Sequence, residues 1–284
     1  MTASSLDLRK RTDLGWLADV LRDVQSAAPA TRWLLVGAMA RDVWLAYAHG
    51  IDTGRATTDV DLALAVEHWD AFHTLRTALI ASSSFVATRV EHRLQHRSGR
   101  KVDLVPFGNI ADDEGLIAWP PDGSTRMNVL GYDEALASSV PIFLPSDVEL
   151  RVVSLPGLIL LKICAWAERH LLQPRKDAHD LWVVLRNYLD AGPRDRLYEE
   201  HPEWLDRADF DYDTASAELA GMDVRALLLE FSPDAQGMID MLSNILSPQV
   251  DADGEGRLVG EIPLLHADAF RGQLIAFLRG LSGG

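Results

Sequence analysis

Hydrophobic and polar positions along this chain fall into two regimes, and the pattern changes near residue 153. In the first regime, short apolar runs alternate with amphipathic stretches. Leu14, Leu17, Val20, Leu21 and Val24 recur at helical spacing and predict a helix over about Asp13 to Gln25, broken by Pro29 and Thr31. Trp33-Leu34-Leu35-Val36 is apolar throughout, as a strand covered on both faces should be, and Gly37 ends it. Val43, Trp44 and Tyr47 space as a helix from Ala38 to about Tyr47, and Gly50 and Gly54 mark a loop. Asp59 to Val66 reads as a second strand. Glu67 to Ile80 reads as a helix with Trp69, Phe72, Leu75 and Leu79 on one face. Phe85 to Gln95 reads as a single strand entering the turn Ser98-Gly99, with Lys101 to Phe107 returning antiparallel to it. Asp112 to Ser124 is expected to be mostly loop and Asp133 to Ala137 a turn or two of helix. Val140 to Leu144 and Val148 to Val153 are two short strands parted by Pro145-Ser146.

From Ser154 the periodicity is helical. Ser154 is a natural N-cap, and Pro156 falls in the first turn, where a missing N–H costs little. Leu155 to about Leu171 is apolar nearly all round, so this helix is expected to be buried between two lobes. After Pro174 a second helix is predicted over about Arg175 to Leu189. Weaker helical patterns surround Trp204, Leu227 to Leu229, Met238 to Ile245 and Phe270 to Leu281, with Pro248 to Gly256 as a loop. The chain is therefore predicted to be α+β: a mixed-sheet domain over residues 1–153 followed by a mostly helical domain over 154–284.

Composition narrows the functional classes. With 284 residues, 48% of them hydrophobic, the chain can bury a substantial core. Its net charge of −15 argues against a broad nucleic-acid-binding face and leaves room for a local basic cleft. One cysteine, Cys164, lies in an apolar run; no disulfide can form within the chain, and a reducing compartment and an inert core thiol are expected. The first dozen residues carry Arg9, Lys10 and Arg11 and lack the apolar core of a signal peptide. The greasiest run, Leu155 to Ala167, is too short to span a bilayer and contains Lys162. A soluble cytoplasmic protein with no membrane partner is the expectation.

The candidate chemistry is a set of carboxylates. Side chains at i and i+2 of a strand face the same way, so Asp59 and Asp61 point together while Val60, Leu62 and Leu64 turn into the core. Asp103 sits between Val102 and Leu104 in the same manner. Aspartate is disfavoured in strands and costly when buried, which makes this triplet unusual. Adjacent carboxylates repel unless a cation lies between them, and hard oxygen ligands suit magnesium or manganese. A lone Asp-x-Asp is more simply a cap beside a solvent-facing residue; the third aspartate and the upstream glycine turn shift the balance to a metal site. The N–H groups of Gly37, Ala38 and Met39, where a strand passes into a helix, are a ready anion site. Arg41, one turn on, has two readings, a phosphate ligand and a surface salt bridge, of which the second is expected. Lys162, alone in an apolar helix, needs a partner. It either pairs with Asp180, with Arg169 pairing with Asp177, or it points with Arg169 or Lys176 at nucleotide phosphates. Nine histidines show no ligand spacing; His92 and His96 are expected at the surface.

These residues resemble a family. Gly37-Ala38, Asp59-Val60-Asp61 and Asp103 look like the signature of the DNA polymerase beta-type nucleotidyltransferases. Arg55-Ala56-Thr57-Thr58-Asp59-Val60-Asp61, with Lys162, Arg169, Lys176-Asp177 and Asp180, resembles more closely the AbiEii-type toxin group, which includes the MenT-type toxins; the likeness covers roughly residues 33 to 189. It implies that Asp59 and Asp61 bind two magnesium ions bridging the triphosphate of an NTP. Asp103 would bind the metal that activates the acceptor hydroxyl and serve as its base. Lys162 would steady the phosphates from the helical domain, and Asp177 or Asp180 would orient nucleotide or acceptor. The acceptor would be a tRNA end or a protein hydroxyl, and the partner an antitoxin protein. One departure stands out: Ala38 replaces the Ser or Gly usual at the second turn position. Two further readings follow, a nucleotidyltransferase for small cationic molecules of the aminoglycoside kind, and a non-catalytic nucleotide-binding pseudo-enzyme.

Overall fold

The computed structural model describes residues 5–251 and 256–283. Contacts divide the described residues into two compact units: one contains residues 5–48 together with Gly54–Val153, the other His49–Thr53 and the described residues from Ser154 onward.

The first unit is built on ten strands, β1 (Leu6–Asp7), β2 (Trp33–Val36), β3 (Val60–Ala65), β4 (Phe85–Ala87), β5 (Arg93–His96), β6 (Lys101–Phe107), β7 (Leu116–Ala118), β8 (Arg126–Asn128), β9 (Val140–Leu144) and β10 (Val148–Val152). Eight of them form one mixed sheet in the order β1-β9-β10-β2-β3-β6-β5-β4, and β7 and β8 pair separately. The helices are α1 (Gly15–Ala27), α2 (Gly37–Asp42), α3 (Trp69–Ala81) and α4 (Tyr132–Ala137). Strand β2 is buried at all four positions, as its unbroken apolar run requires, because β10 flanks it parallel and β3 antiparallel. Leu17, Val20, Leu21 and Val24 form the buried stripe of α1.

Several boundaries differ from the sequence expectation. The stretch from Phe85 to Gln95 is two strands paired antiparallel, because Thr88 Oγ1 bonds the carbonyls of Val90 and Arg93 and turns the chain between them. The expected loop from Asp112 onward contains β7, whose partner β8 supplies its ladder bonds. Leu6 and Asp7 join the sheet edge beside β9, a pairing too short to leave a period in the sequence. Helix α2 begins at Gly37 and continues as a π-helical turn over Val43–Ala48.

The second unit contains α5 (Leu155–Arg169), α6 (Lys176–Arg186), α7 (Arg194–Glu199), α8 (Tyr212–Phe231), α9 (Ala235–Val250), α10 (Arg257–Gly260) and α11 (Ala267–Ser282). Ser154 caps α5, its hydroxyl accepting from the Gly157 N–H at 3.2 Å. Cys164 is buried in this helix. Helices α8 and α11 approach until their backbones touch: a Cβ at Gly221 would meet the Phe277 carbonyl, and one at Gly280 the Glu218 carbonyl. The predicted loop from Pro248 to Gly256 is corrected in its first part, since α9 runs through Pro248 to Val250, with Leu246 and Gln249 buried. Proline forfeits one helix bond there, and the buried contacts of the last turn outweigh it. Residues 252–255 of that loop lie outside the described residues. Among the described residues no helix is long and apolar enough to cross a membrane.

Candidate active site

Sheet register brings the carboxylates together. In the parallel pair β3–β6, Asp61 stands directly opposite Asp103, so both side chains leave the same face. Val60, Val102, Leu62 and Leu104, which point the other way, are fully buried. Asp59 immediately precedes β3, two residues before Asp61, and is half-buried. Across β2–β3, Val36 pairs with Asp61, which brings Gly37 to the same end of the sheet. Gly37 has a φ of +69°, in the left-handed region, and a Cβ there would run into the Asp61 carboxylate. Glycine is thus required twice over, by its backbone and by its neighbour. Ala38 and Met39 follow, both buried, so Ala38 offers its N–H and no reachable side chain.

Arg41 departs from the surface pairing expected of it. It is fully buried, its Nε and Nη2 donating to Asp42 Oδ1 at 2.9 and 2.6 Å and Nη2 also donating to the Arg55 carbonyl at 2.8 Å. Asp42 Oδ2 accepts from the Thr57 N–H at 3.1 Å, and the Asp59 N–H donates to Thr57 Oγ1 at 3.3 Å. A buried ion pair therefore holds the segment 55–57 that delivers Asp59. Sequence reading missed Asp42 in this role; its only signal was an aspartate directly after a buried-pattern arginine.

Arg93 was missed as well. It stands opposite Asp103 across β5–β6. Its Nε and Nη2 donate to Asp103 Oδ1 and Oδ2 at 2.7 and 2.6 Å, a two-pronged guanidinium–carboxylate fork. The hydrogen bonds to Asp103 raise the Arg93 pKa against the opposing effect of burial, and Asp59 and Asp61 add to the attraction. Burial lowers the pKa of the neighbouring His92, with Asp103 opposing. His96, expected at the surface, is buried: Nε2 lies 2.9 Å from Asp23 Oδ2 and Nδ1 lies 2.8 Å from Ser98 Oγ. It faces away from the chemistry into the α1 side of the unit.

In hardness and charge the three carboxylates fit a divalent cation such as magnesium or manganese. As the side chains stand, no three potential ligands among the described residues close around one point. Asp103 is turned into the Arg93 fork.

In the helical unit, Lys162 is not aimed at open space. Its Nζ lies 3.1 Å from Asp177 Oδ1 and 2.5 Å from Asp180 Oδ2, and Arg169 reaches Asp177 through Nε and Nη2 at 2.7 and 2.9 Å. The side chains of Lys162, Asp177 and Asp180 are 5%, 2% and 0% exposed. Burial disfavours the ammonium, and Asp180 and Asp177 more than reverse this and raise its pKa. Burial likewise pushes the Asp177 carboxyl up, and Lys162 and Arg169 overcome it and hold the pKa down. Of the two pairings the sequence offered, Lys162–Asp180 and Arg169–Asp177 both form, and Lys162 bonds Asp177 as well.

Residues 19–253 match the family model described as nucleotidyl transferase AbiEii toxin of a type IV toxin–antitoxin system. The chain is a nucleotidyltransferase. It belongs to the AbiEii toxin family, and the match extends well beyond the segment from 33 to 189 that carries the motifs. Among solved structures the chain is similar to the antibiotic-resistance factor ANT(2'')-Ia, at 12% identity and a TM-score of 0.36, over 68% of this chain and 96% of that one. A comparison with curated proteins found no match.

Proposed function

We propose that this chain moves a nucleoside monophosphate from an NTP to a hydroxyl on a tRNA end or a protein, as the toxin of a pair whose partner is an antitoxin protein. The observation that carries the reading is the register of Asp61 against Asp103, with Gly37 packed on Asp61. Asp59, Asp61 and Asp103 are the residues that hold magnesium or manganese in this proposal. A divalent cation bound there supplies charge neutralisation for the triphosphate and acidifies the acceptor hydroxyl. The N–H groups of Gly37, Ala38 and Met39 face the nucleotide phosphates, and the bare Cα of Gly37 lets them approach. Asp103 takes the proton of the acceptor hydroxyl, whose oxygen bonds to the α-phosphorus as the bond to the β-phosphate oxygen breaks and pyrophosphate leaves. Arg41 and Asp42 act through the backbone of residues 55–57, keeping Asp59 in place. Lys162, which pairs with Asp177 and Asp180, and Arg169, which pairs with Asp177, are the cations that steady the phosphates in this proposal.

The test is incubation with each radiolabelled NTP, magnesium and either total tRNA or cell lysate. Label is expected on a macromolecule with the wild type and not with Asp61→Asn. Folded wild-type protein that labels nothing with any NTP overturns the reading. The net charge of −15 favours a second acceptor class, small cationic molecules drawn to an acidic surface. Cells expressing the chain would then gain aminoglycoside resistance, whereas growth arrest with unchanged resistance returns the choice to the macromolecular acceptor.

A further inference from the structure

Asp61, Asp103 and Arg93 occupy one row across three adjacent strands, and their side chains leave one face. Arg93 spends both prongs of its fork on the two oxygens of Asp103, which is 14% exposed beneath it. Any ion ligated by Asp103 needs at least one of those oxygens. A guanidinium is permanently charged, so it neither leaves with pH nor becomes an acceptor. Its positive charge also lies within the field of Asp59 and Asp61. The same arginine therefore does two things: it offsets part of the charge of the neighbouring carboxylates, and it stands against a further positive charge arriving at Asp103.

We propose that Arg93 is a resident counter-cation that competes with the divalent metal for Asp103, so that loading the site requires the Arg93 fork to release at least one Asp103 oxygen. The proposal rests on the metal-dependent reading given above. It makes Arg93 a positioning residue that sets how much metal the site demands. A purely structural cross-strand pair has the opposite signature: removing Arg93 would leave Asp103 less well oriented and weaken metal binding.

Manganese titration of the full chain without nucleotide, read from the electron paramagnetic resonance of free Mn2+, separates the two. Wild type, Arg93→Gln, Arg93→Lys, Asp103→Asn and the double variant Arg93→Gln/Asp103→Asn are compared, each checked for folding by circular dichroism. Removing one positive charge at contact range is expected to tighten manganese binding in Arg93→Gln by roughly tenfold. Arg93→Lys keeps the charge and loses the planar fork, and falls between the two. Against the Asp103→Asn background, the gain from Arg93→Gln is expected to shrink to less than about threefold, because the contested oxygen is gone. Folded Arg93→Gln that binds manganese equally or more weakly than wild type overturns the role of Arg93 while leaving the metal site intact. If Arg93→Gln does not fold, Arg93→Lys decides by the same comparison. Failure of every folded variant, wild type included, to bind manganese overturns the metal reading itself and this inference with it.

Discussion

Two groups in this protein are made of the same ingredients and do different things. In the sheet unit Arg93 forks onto Asp103 within the field of Asp59 and Asp61; in the helical unit Lys162 bonds Asp177 and Asp180, and Arg169 bonds Asp177. The second set balances its charges and is sealed, with Asp177 and Asp180 almost wholly removed from water. The two arginines are equally exposed, at 31%, and the sets differ at their carboxylates: Asp103 keeps 14% and Asp59 is half-buried. Balance and burial together make a structural clasp, since every charge finds a partner when water is removed. Carboxylates that keep some access can take up a further cation, which enclosed ones cannot. The pairing of cation with carboxylate therefore says little until the charges are summed and the solvent is located.

This contrast can be broken most sharply at Lys162. Replacing it by methionine keeps the volume and strands two buried carboxylates, so stability is expected to fall by roughly 3–5 kcal/mol. Urea denaturation measures it, and an unchanged midpoint would show that the clasp contributes nothing. Asp61→Asn should do the reverse. It removes like-charge repulsion and leaves the urea midpoint equal or higher, while nucleotidyl transfer falls by at least about 100-fold, the upper range for losing a partner of a metal ligand. A variant that unfolds as it loses activity would erase the distinction between the two groups. Gly37→Ala tests the left-handed turn and the space beside Asp61 at once; a cost of about 1–3 kcal/mol is expected from the strained backbone, together with weaker nucleotide binding by calorimetry. The smallest effect concerns pH. The folded Asp177 carboxyl titrates below its ordinary value of 3.8, so its contribution is fully present above that value and is lost as pH falls through the lower folded value. Acid unfolding of the wild type should carry this component, and Asp177→Asn should flatten it.

Much of the site could be read from the chain. The alternation around Asp59-Val60-Asp61 and the apolar neighbours of Asp103 place carboxylates on strands, and the glycine after Val36 marks the turn, because period-two patterning and glycine punctuation are local signals. Arg93 was within reach too. The hairpin loop 97–99 ends with Gly99 at a φ of +83°, and His96 bonds Arg100 across it. Counting outward from that loop puts Arg93 opposite Asp103, whatever happens further along at Thr88. His96 misled because a polar residue in a polar-looking run carries no mark of burial, and Arg41 because its charge outweighed the apolar residues around it; their partners, Asp23 and the Arg55 carbonyl, are distant in sequence.

Residue order alone determined that this chain has a sheet-forming part and a helical part, where the glycine turn falls, and that Asp61 and Asp103 stand on strands, with Asp59 falling just before β3 and not on it as expected, since each follows from spacing within a few residues. Tertiary structure decided the rest: that Asp61 faces Asp103 in register, that Arg93 takes both oxygens of Asp103, and that Lys162 is enclosed and not extended. The physical reason is that register, burial and charge balance are properties of neighbours brought together by folding, and the sequence states which residues are present without stating which of them meet.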